Sequence, residues 1–150
     1  MEELRELYQQ VILDHNKNPK NFHEMDSPTH TAEGYNPLCG DRLMMFLRVE
    51  DNIIKDISFM GSGCAISKAS ASVMTAMLKG KSISEAERLF KIFQEMITSD
   101  PDREPDVDSL GKLTVFAGVR EFPLRIKCAG LAWHTLSAAI GEGNGVVSTE

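Results

Sequence analysis

Three cysteines, Cys39, Cys64 and Cys128, and one aspartate two positions after the first are the residues whose type and placement could do chemistry in this chain of 150 residues. An odd count cannot pair completely within the chain, and reduced thiols are the default in a reducing compartment. Two readings stand open for them, as small buried hydrophobes or as metal and sulfur chemistry. Each lies at a junction and not within an apolar stripe. Cys39 is in Asn36-Pro37-Leu38-Cys39-Gly40-Asp41, a turn ahead of the first clear strand. Cys64 follows Gly61-Ser62-Gly63 and opens a helix, and Cys128 falls in about the first turn of the last helix, after Pro123. Helix N-termini present free N–H groups and a positive dipole end, which favour thiolate over thiol. Core filling explains such placement poorly. Gly40, Gly63 and Gly130 have no Cβ, so backbone can approach whatever the sulfurs hold. In an extended stretch Cys39 and Asp41 share a face and could chelate one ion. Three thiolates and a carboxylate make a four-coordinate set suited to Zn²⁺. No pair has the CxxC form, so spacing alone does not decide the matter.

Competing candidates are weaker. His15, His23 and His30 sit in polar or loop settings and are expected to be solvated. His134 lies six residues past Cys128, about 600° of helical rotation away, and reads as a surface or packing residue. Met44, Met45, Met74, Met77 and Met96 fall on apolar faces as core filler. Lys127 is either an exposed lysine or a cation that favours the neighbouring thiolate. The acidic stretch 100–108 has no calcium-loop pattern, and the chain has neither a phosphate-binding loop nor a serine nucleophile motif.

The elements that must position these residues are legible in the apolar periodicity. Residues 2–15 predict an amphipathic helix with Leu4, Leu7, Val11, Tyr8 and Ile12 on one face, and Asn16 to Pro28 a loop. Leu43–Val49 and Ile53–Met60 predict two strands joined at Glu50-Asp51-Asn52; Leu43, Met45, Leu47 and Val49 share one face of the first, Ile53, Ile57 and Phe59 one face of the second. A third strand is weakly marked around Thr29–Gly34. Ile66, Ala69, Val73 and Met77 then recur at helical spacing up to Lys79-Gly80-Lys81. Ser82 or Ser84 caps a helix whose stripe is Leu89, Phe93, Met96 and Ile97. A solvated loop, Ser99 to Asp106, leads to a short helix near Ser109–Val119 and a final one carrying Leu131, Leu136 and Ile140. The tail after Gly141 is expected to fray. The sum is a single α+β domain over 1–150, a small three-stranded antiparallel sheet with helices packed against it.

Composition limits the function classes. With 42% hydrophobic and 25% charged residues the chain has a proper core. A net charge of −6 and a pI near 5.2 argue against nucleic acid or an anionic membrane as the main partner. No apolar run approaches the roughly 18 residues of a spanning segment, and the acidic start Met1-Glu2-Glu3-Leu4-Arg5-Glu6 resembles no signal or transit peptide. A cytoplasmic location is the expectation.

With these residues in place, Asn36-Pro37-Leu38-Cys39-Gly40-Asp41, Gly61-Ser62-Gly63-Cys64-Ala65-Ile66-Ser67 and Arg125-Ile126-Lys127-Cys128-Ala129-Gly130-Leu131-Ala132-Trp133 resemble the IscU/NifU-like iron–sulfur cluster assembly proteins. The likeness runs from about Leu4 to Ile140 and includes Leu7-Tyr8, Ile12-Leu13-Asp14-His15, Pro19 and Asn21-Phe22. IscU-like scaffolds carry a histidine directly before the third cysteine, where this chain has Lys127. The long interval from Cys64 to Cys128 looks like the insertion of the SufU type, around residues 80–105. The resemblance implies a Zn²⁺ site at Cys39, Asp41, Cys64 and Cys128, with iron or an iron–sulfur cluster as a transient occupant. It implies sulfur transfer from a SufS-type cysteine desulfurase to Cys39, freed by ligand exchange at the zinc, and onward to a downstream assembly scaffold. Two alternatives accompany it: a scaffold on which the same four residues assemble a cluster, and a purely structural zinc domain.

Overall fold

The computed structural model describes residues 2–142 and 144–148. Its elements run α1 (Glu2–Lys17), β1 (His30–Asn36), β2 (Asp41–Glu50), β3 (Ile53–Ser62), α2 (Ala65–Leu78), α3 (Ile83–Thr98), α4 (Val107–Leu110), a 3-10 helix (Gly111–Glu121), α5 (Pro123–Glu142) and β4 (Asn144–Ser148). The sheet order is β3-β2-β1-β4. Its first three strands are the expected antiparallel meander; α5 and α2 pack against the sheet, and α1 and α3 pack on those helices.

Local chemistry accounts for the meander. Asp51 and Asn52 take φ of 53° and 63°. Two successive left-handed residues make the tight turn whose twist suits a hairpin, and Asp and Asn accept it better than most side chains. Leu43, Met45 and Leu47 are buried, as alternation along β2 requires. Along β3 the expected face is shifted at its start: Ile54, not Ile53, is buried with Ile57 and Phe59. The register explains this, since Arg48 pairs with Asp56 but Val49 with Ile54. Lys55 is the extra residue of a bulge, which turns Ile54 inward.

The tail departs from expectation. Asn144–Ser148 do not fray but pair in parallel with β1, from Thr31↔Asn144 to Tyr35↔Ser148. The open edge of β1 presents backbone N–H and C=O groups that need partners. Val146-Val147 are β-branched and suit a strand, a signal the neighbouring glycines conceal in the sequence.

Of the two candidate caps for α3, Ser82 is the one used, its hydroxyl accepting the Glu85 N–H at 3.1 Å. The predicted helix near Ser109–Val119 is divided: Gly111, at φ 52°, ends α4, and the chain continues as a 3-10 helix. Phe116 from that segment meets Phe93 of α3 at 6.1 Å, and Phe93 stacks on Trp133 of α5 at 5.0 Å between ring centroids. All three rings are fully buried. This core fixes α5 over the sheet and brings three junctions together: the β1–β2 turn, the β3–α2 junction and the second turn of α5.

Candidate metal centre

Asp41 opens β2 and is only 2% exposed. A carboxylate buried this deeply needs partners for both oxygens. Oδ1 accepts the backbone N–H of Cys64 at 2.8 Å, and Oδ2 accepts the side-chain N–H of Asn36 at 3.2 Å. The first bond requires Gly63, because a Cβ there would stand 2.5 Å from Asp41 Oδ1. Gly40 serves differently, taking φ +73° in the turn. At Gly130 a Cβ would make only ordinary contacts, so the expectation of close approach at that glycine does not hold.

Ligand atoms of Cys39, Asp41 and Cys128 all lie within 4.8 Å of one another. Cys39 Sγ and Cys128 Sγ are 3.4 Å apart, and Cys64 Sγ stands 3.9 Å from Asp41 Oδ2. Cys39 is exposed on its turn, Cys64 is half-buried and Cys128 is buried. Three of the four residues singled out from the sequence, Cys39, Asp41 and Cys128, gather within reach of one ion, and Cys64 stands beside them at Asp41, outside that group. Tetrahedral Zn²⁺ with bonds of about 2.3 Å to sulfur would space two sulfurs by about 3.8 Å. The Cys39–Cys128 separation is within a few tenths of an ångström of that value. Three soft sulfurs with one carboxylate suit Zn²⁺ or iron and not Ca²⁺ or Mg²⁺.

The thiols differ electrostatically. Cys64 is the N-cap of α2, its sulfur accepting the Ser67 N–H at 3.4 Å. Its thiol is lowered to about 7, first by a hydrogen bond from Cys128 and then by the helix N–H groups, against burial. Cys128 is pushed up, because its proton is held by Cys64, with burial and Cys39 adding to the effect. This corrects one expectation. α5 already begins at Pro123, a residue favoured in a first turn, so Cys128 sits in the second turn and is not activated by the helix end.

The other candidates resolve plainly. His15 is not solvated: it is 8% exposed, with Nδ1 2.7 Å from Ser72 Oγ. His134 packs edge-on against Phe90, away from the cluster. Met45, Met74 and Met96 are core residues. Sequence reasoning missed Asn36. It stands directly opposite Asp41 in the β1–β2 register, and that cross-strand position, immediately flanking the turn, was the available signal.

A short antiparallel meander under a helical layer, with three cysteines and an aspartate gathered at its junctions, defines a small α+β domain whose donor set could hold a thiophilic metal ion. The NifU-like N-terminal domain family matches residues 7–129, and the chain belongs to that family. It is 40% identical over 139 residues to the zinc-dependent sulfurtransferase SufU of Bacillus subtilis strain 168, covering 93% of this chain and 92% of that one. It is likewise 40% identical over 140 residues to the iron–sulfur cluster assembly scaffold protein IscU of Streptococcus pyogenes serotype M1, covering 93% and 86%. Among solved structures, a candidate iron–sulfur cluster assembly scaffold protein for the SUF system from Fervidobacterium islandicum AW-1 superimposes with a TM-score of 0.81. That pair is 34% identical, over 87% of this chain and 94% of the other. Among the described residues no helix is long and apolar enough to cross a membrane.

Proposed function

We propose that this protein is a zinc-dependent sulfur acceptor in iron–sulfur cluster assembly, taking sulfur from a cysteine desulfurase onto Cys39 and passing it to a downstream assembly scaffold in the cytoplasm. The observation that carries this reading is the position of Cys39: it alone of the three cysteines is exposed, yet its sulfur lies beside Cys128 and the buried Asp41. In this reading Cys39, Asp41, Cys64 and Cys128 hold the zinc, which when bound keeps the neighbouring sulfurs as thiolates at neutral pH.

The chain's own residues then divide the work. The turn Pro37–Gly40 is exposed throughout, so Cys39 can reach a partner's persulfide while the other ligands stay in the fold. The Cys39 thiolate attacks the outer sulfur of that persulfide. A new S–S bond forms on Cys39, the donor's S–S bond breaks, and the donor cysteine leaves as thiolate. One sulfur atom moves and no external oxidant or reductant is consumed. Asp41 ties the start of β2 to the β3–α2 junction through the Cys64 N–H, and Asn36 ties the end of β1 to Cys128 on α5, so departure of the Cys39 sulfur leaves these bonds in place.

The test is mass spectrometry of the zinc-loaded protein after incubation with cysteine and a SufS-type desulfurase, without iron. One added sulfur atom on the Cys39 peptide, with faster desulfurase turnover, is the expected result. No adduct and no stimulation, with a coloured species once iron is added, would replace this reading by cluster assembly on the same residues.

A further inference from the structure

We propose that Asn36 is the positioning residue of the metal centre: its side-chain amide fixes Asp41 and Cys128 relative to each other and tempers the sulfur donor. The inference rests on the reading that Cys39, Asp41, Cys64 and Cys128 hold the ion. Asn36 ends β1, is 0% exposed, and donates from Nδ2 to two acceptors carried by different elements. One is Asp41 Oδ2 at the start of β2, 3.2 Å away; the other is Cys128 Sγ on α5, 3.4 Å away. Its backbone carbonyl accepts the Cys39 N–H at 3.2 Å and so shapes the turn that bears the third ligand. A single residue thus touches three of the four.

The orientation of the amide is settled by its neighbours. Turned over, its oxygen would face a carboxylate and a sulfur, two acceptors, with no proton between them. Held as it is, Asn36 Oδ1 is buried without a hydrogen-bond partner. The fold tolerates an orphaned acceptor in order to aim both N–H groups at ligands. Such outer-shell donors orient ligating atoms and tune them, and their loss typically weakens metal binding about 10–100-fold. An N–H···S bond also stabilises the sulfur lone pairs, so Cys128 gives less charge to the ion than a bare thiolate would. No shape-based role of Asn36 produces that second effect.

The experiment is Co²⁺ titration of the wild type and of Asn36→Leu, a change that keeps the branched heavy-atom shape and removes both N–H groups, read by absorption. Asn36→Leu is expected to bind Co²⁺ about tenfold or more weakly. Its sulfur-to-cobalt charge-transfer band is expected at longer wavelength than in the wild type. Affinity within twofold and an unmoved band in a folded variant would overturn the proposal. Should Asn36→Leu fail to fold, the wild type loaded with an NMR-active cadmium isotope decides. Scalar coupling from cadmium through the Cys128 sulfur to an Asn36 amide proton supports the proposal, and its absence in the loaded, folded protein overturns it. A wild type that takes up neither metal removes the metal reading, and this proposal with it; a wild type that binds while Asn36→Leu is unchanged removes this proposal alone.

Discussion

The two ends of α2 each carry a buried polar cluster, and the clusters are built differently. In the second half of the helix, Ser72 Oγ accepts the Lys20 backbone N–H at 2.7 Å and lies 2.7 Å from His15 Nδ1. The hydroxyl has one proton to give and two lone pairs, so it can pair with the neutral imidazole in either tautomer while it accepts the Lys20 N–H. Burial, with Lys112 and Lys20 nearby, holds the His15 pKa below its ordinary value and keeps the ring neutral. One turn on, Thr75 Oγ1 accepts from Asn21 at 3.1 Å and donates to the Ser72 carbonyl at 3.0 Å. Donors and acceptors match and no net charge is enclosed. At the helix N-terminus the opposite holds: an aspartate and three thiols crowd together, Asn36 Oδ1 is orphaned, and the hydrogen bond between Cys128 and Cys64 lowers the Cys64 thiol and raises that of Cys128. A saturated neutral network holds a loop in place. An acceptor-rich cluster of potential anions gains stability by taking up a cation, and that is the mark of a site.

Removing the exposed sulfur should give the largest effect. Cys39→Ala is expected to abolish sulfur acceptance altogether, while metal-free stability changes by less than about 0.5 kcal/mol, as for other exposed positions. Peptide mass spectrometry and thermal denaturation check the two halves; sulfur persisting on Cys128 in this variant would reassign the acceptor. Zinc itself comes next. At about a thousandfold excess over its dissociation constant it should stabilise the wild type by roughly 4 kcal/mol. Cys128→Ala should lose most of that gain, and an equal zinc-induced rise in melting temperature for both would detach Cys128 from the centre.

At the saturated cluster the pattern reverses. Ser72→Ala leaves the Lys20 N–H without its acceptor and His15 Nδ1 without its partner. A cost of about 2 kcal/mol is expected, a fall in melting temperature of roughly 4–8 °C. Zinc affinity and sulfur acceptance should be unchanged, because these bonds reach none of Cys39, Asp41, Cys64 and Cys128. Weakened zinc binding in Ser72→Ala would show that the two ends of α2 are coupled and break the contrast.

The site cluster was far more legible in the sequence than the structural one. Cys39, Asp41, Cys64 and Cys128 announce themselves by residue type beside turn and helix-start signals. His15 gives no such sign, since its burial depends on a loop folding back over Ser72, a contact across 57 positions. Asn36 was hidden for a related reason: its role arises from pairing with Asp41, and pairing follows from register. Among the elements, the hairpin and the stripe of α3 follow from local pattern. The bulge at Lys55 and the parallel β4 do not, because each depends on which strand edge is free.

The smallest effect is one of pH, and it sharpens the contrast within the site. In the metal-free protein Cys64 titrates at about 7 in place of the ordinary 9. Its folded pKa is the lower one, so the unfolded chain binds the extra proton between these values and stability rises with pH across that window. The contribution is complete above about 9 and lost as pH falls through about 7. Cys64 is half-exposed, so solvent screening keeps the gain small. Chemical reactivity reports it better than melting. In chelator-treated protein the iodoacetamide labelling rate at Cys64 should rise to half its maximum near pH 7, while Cys128 stays unlabelled. A midpoint near 9 would mean that neither the Cys128 hydrogen bond nor the α2 N–H groups lower the Cys64 thiol, and labelling of Cys128 in step with Cys64 would mean that burial and hydrogen bonding do not separate the two.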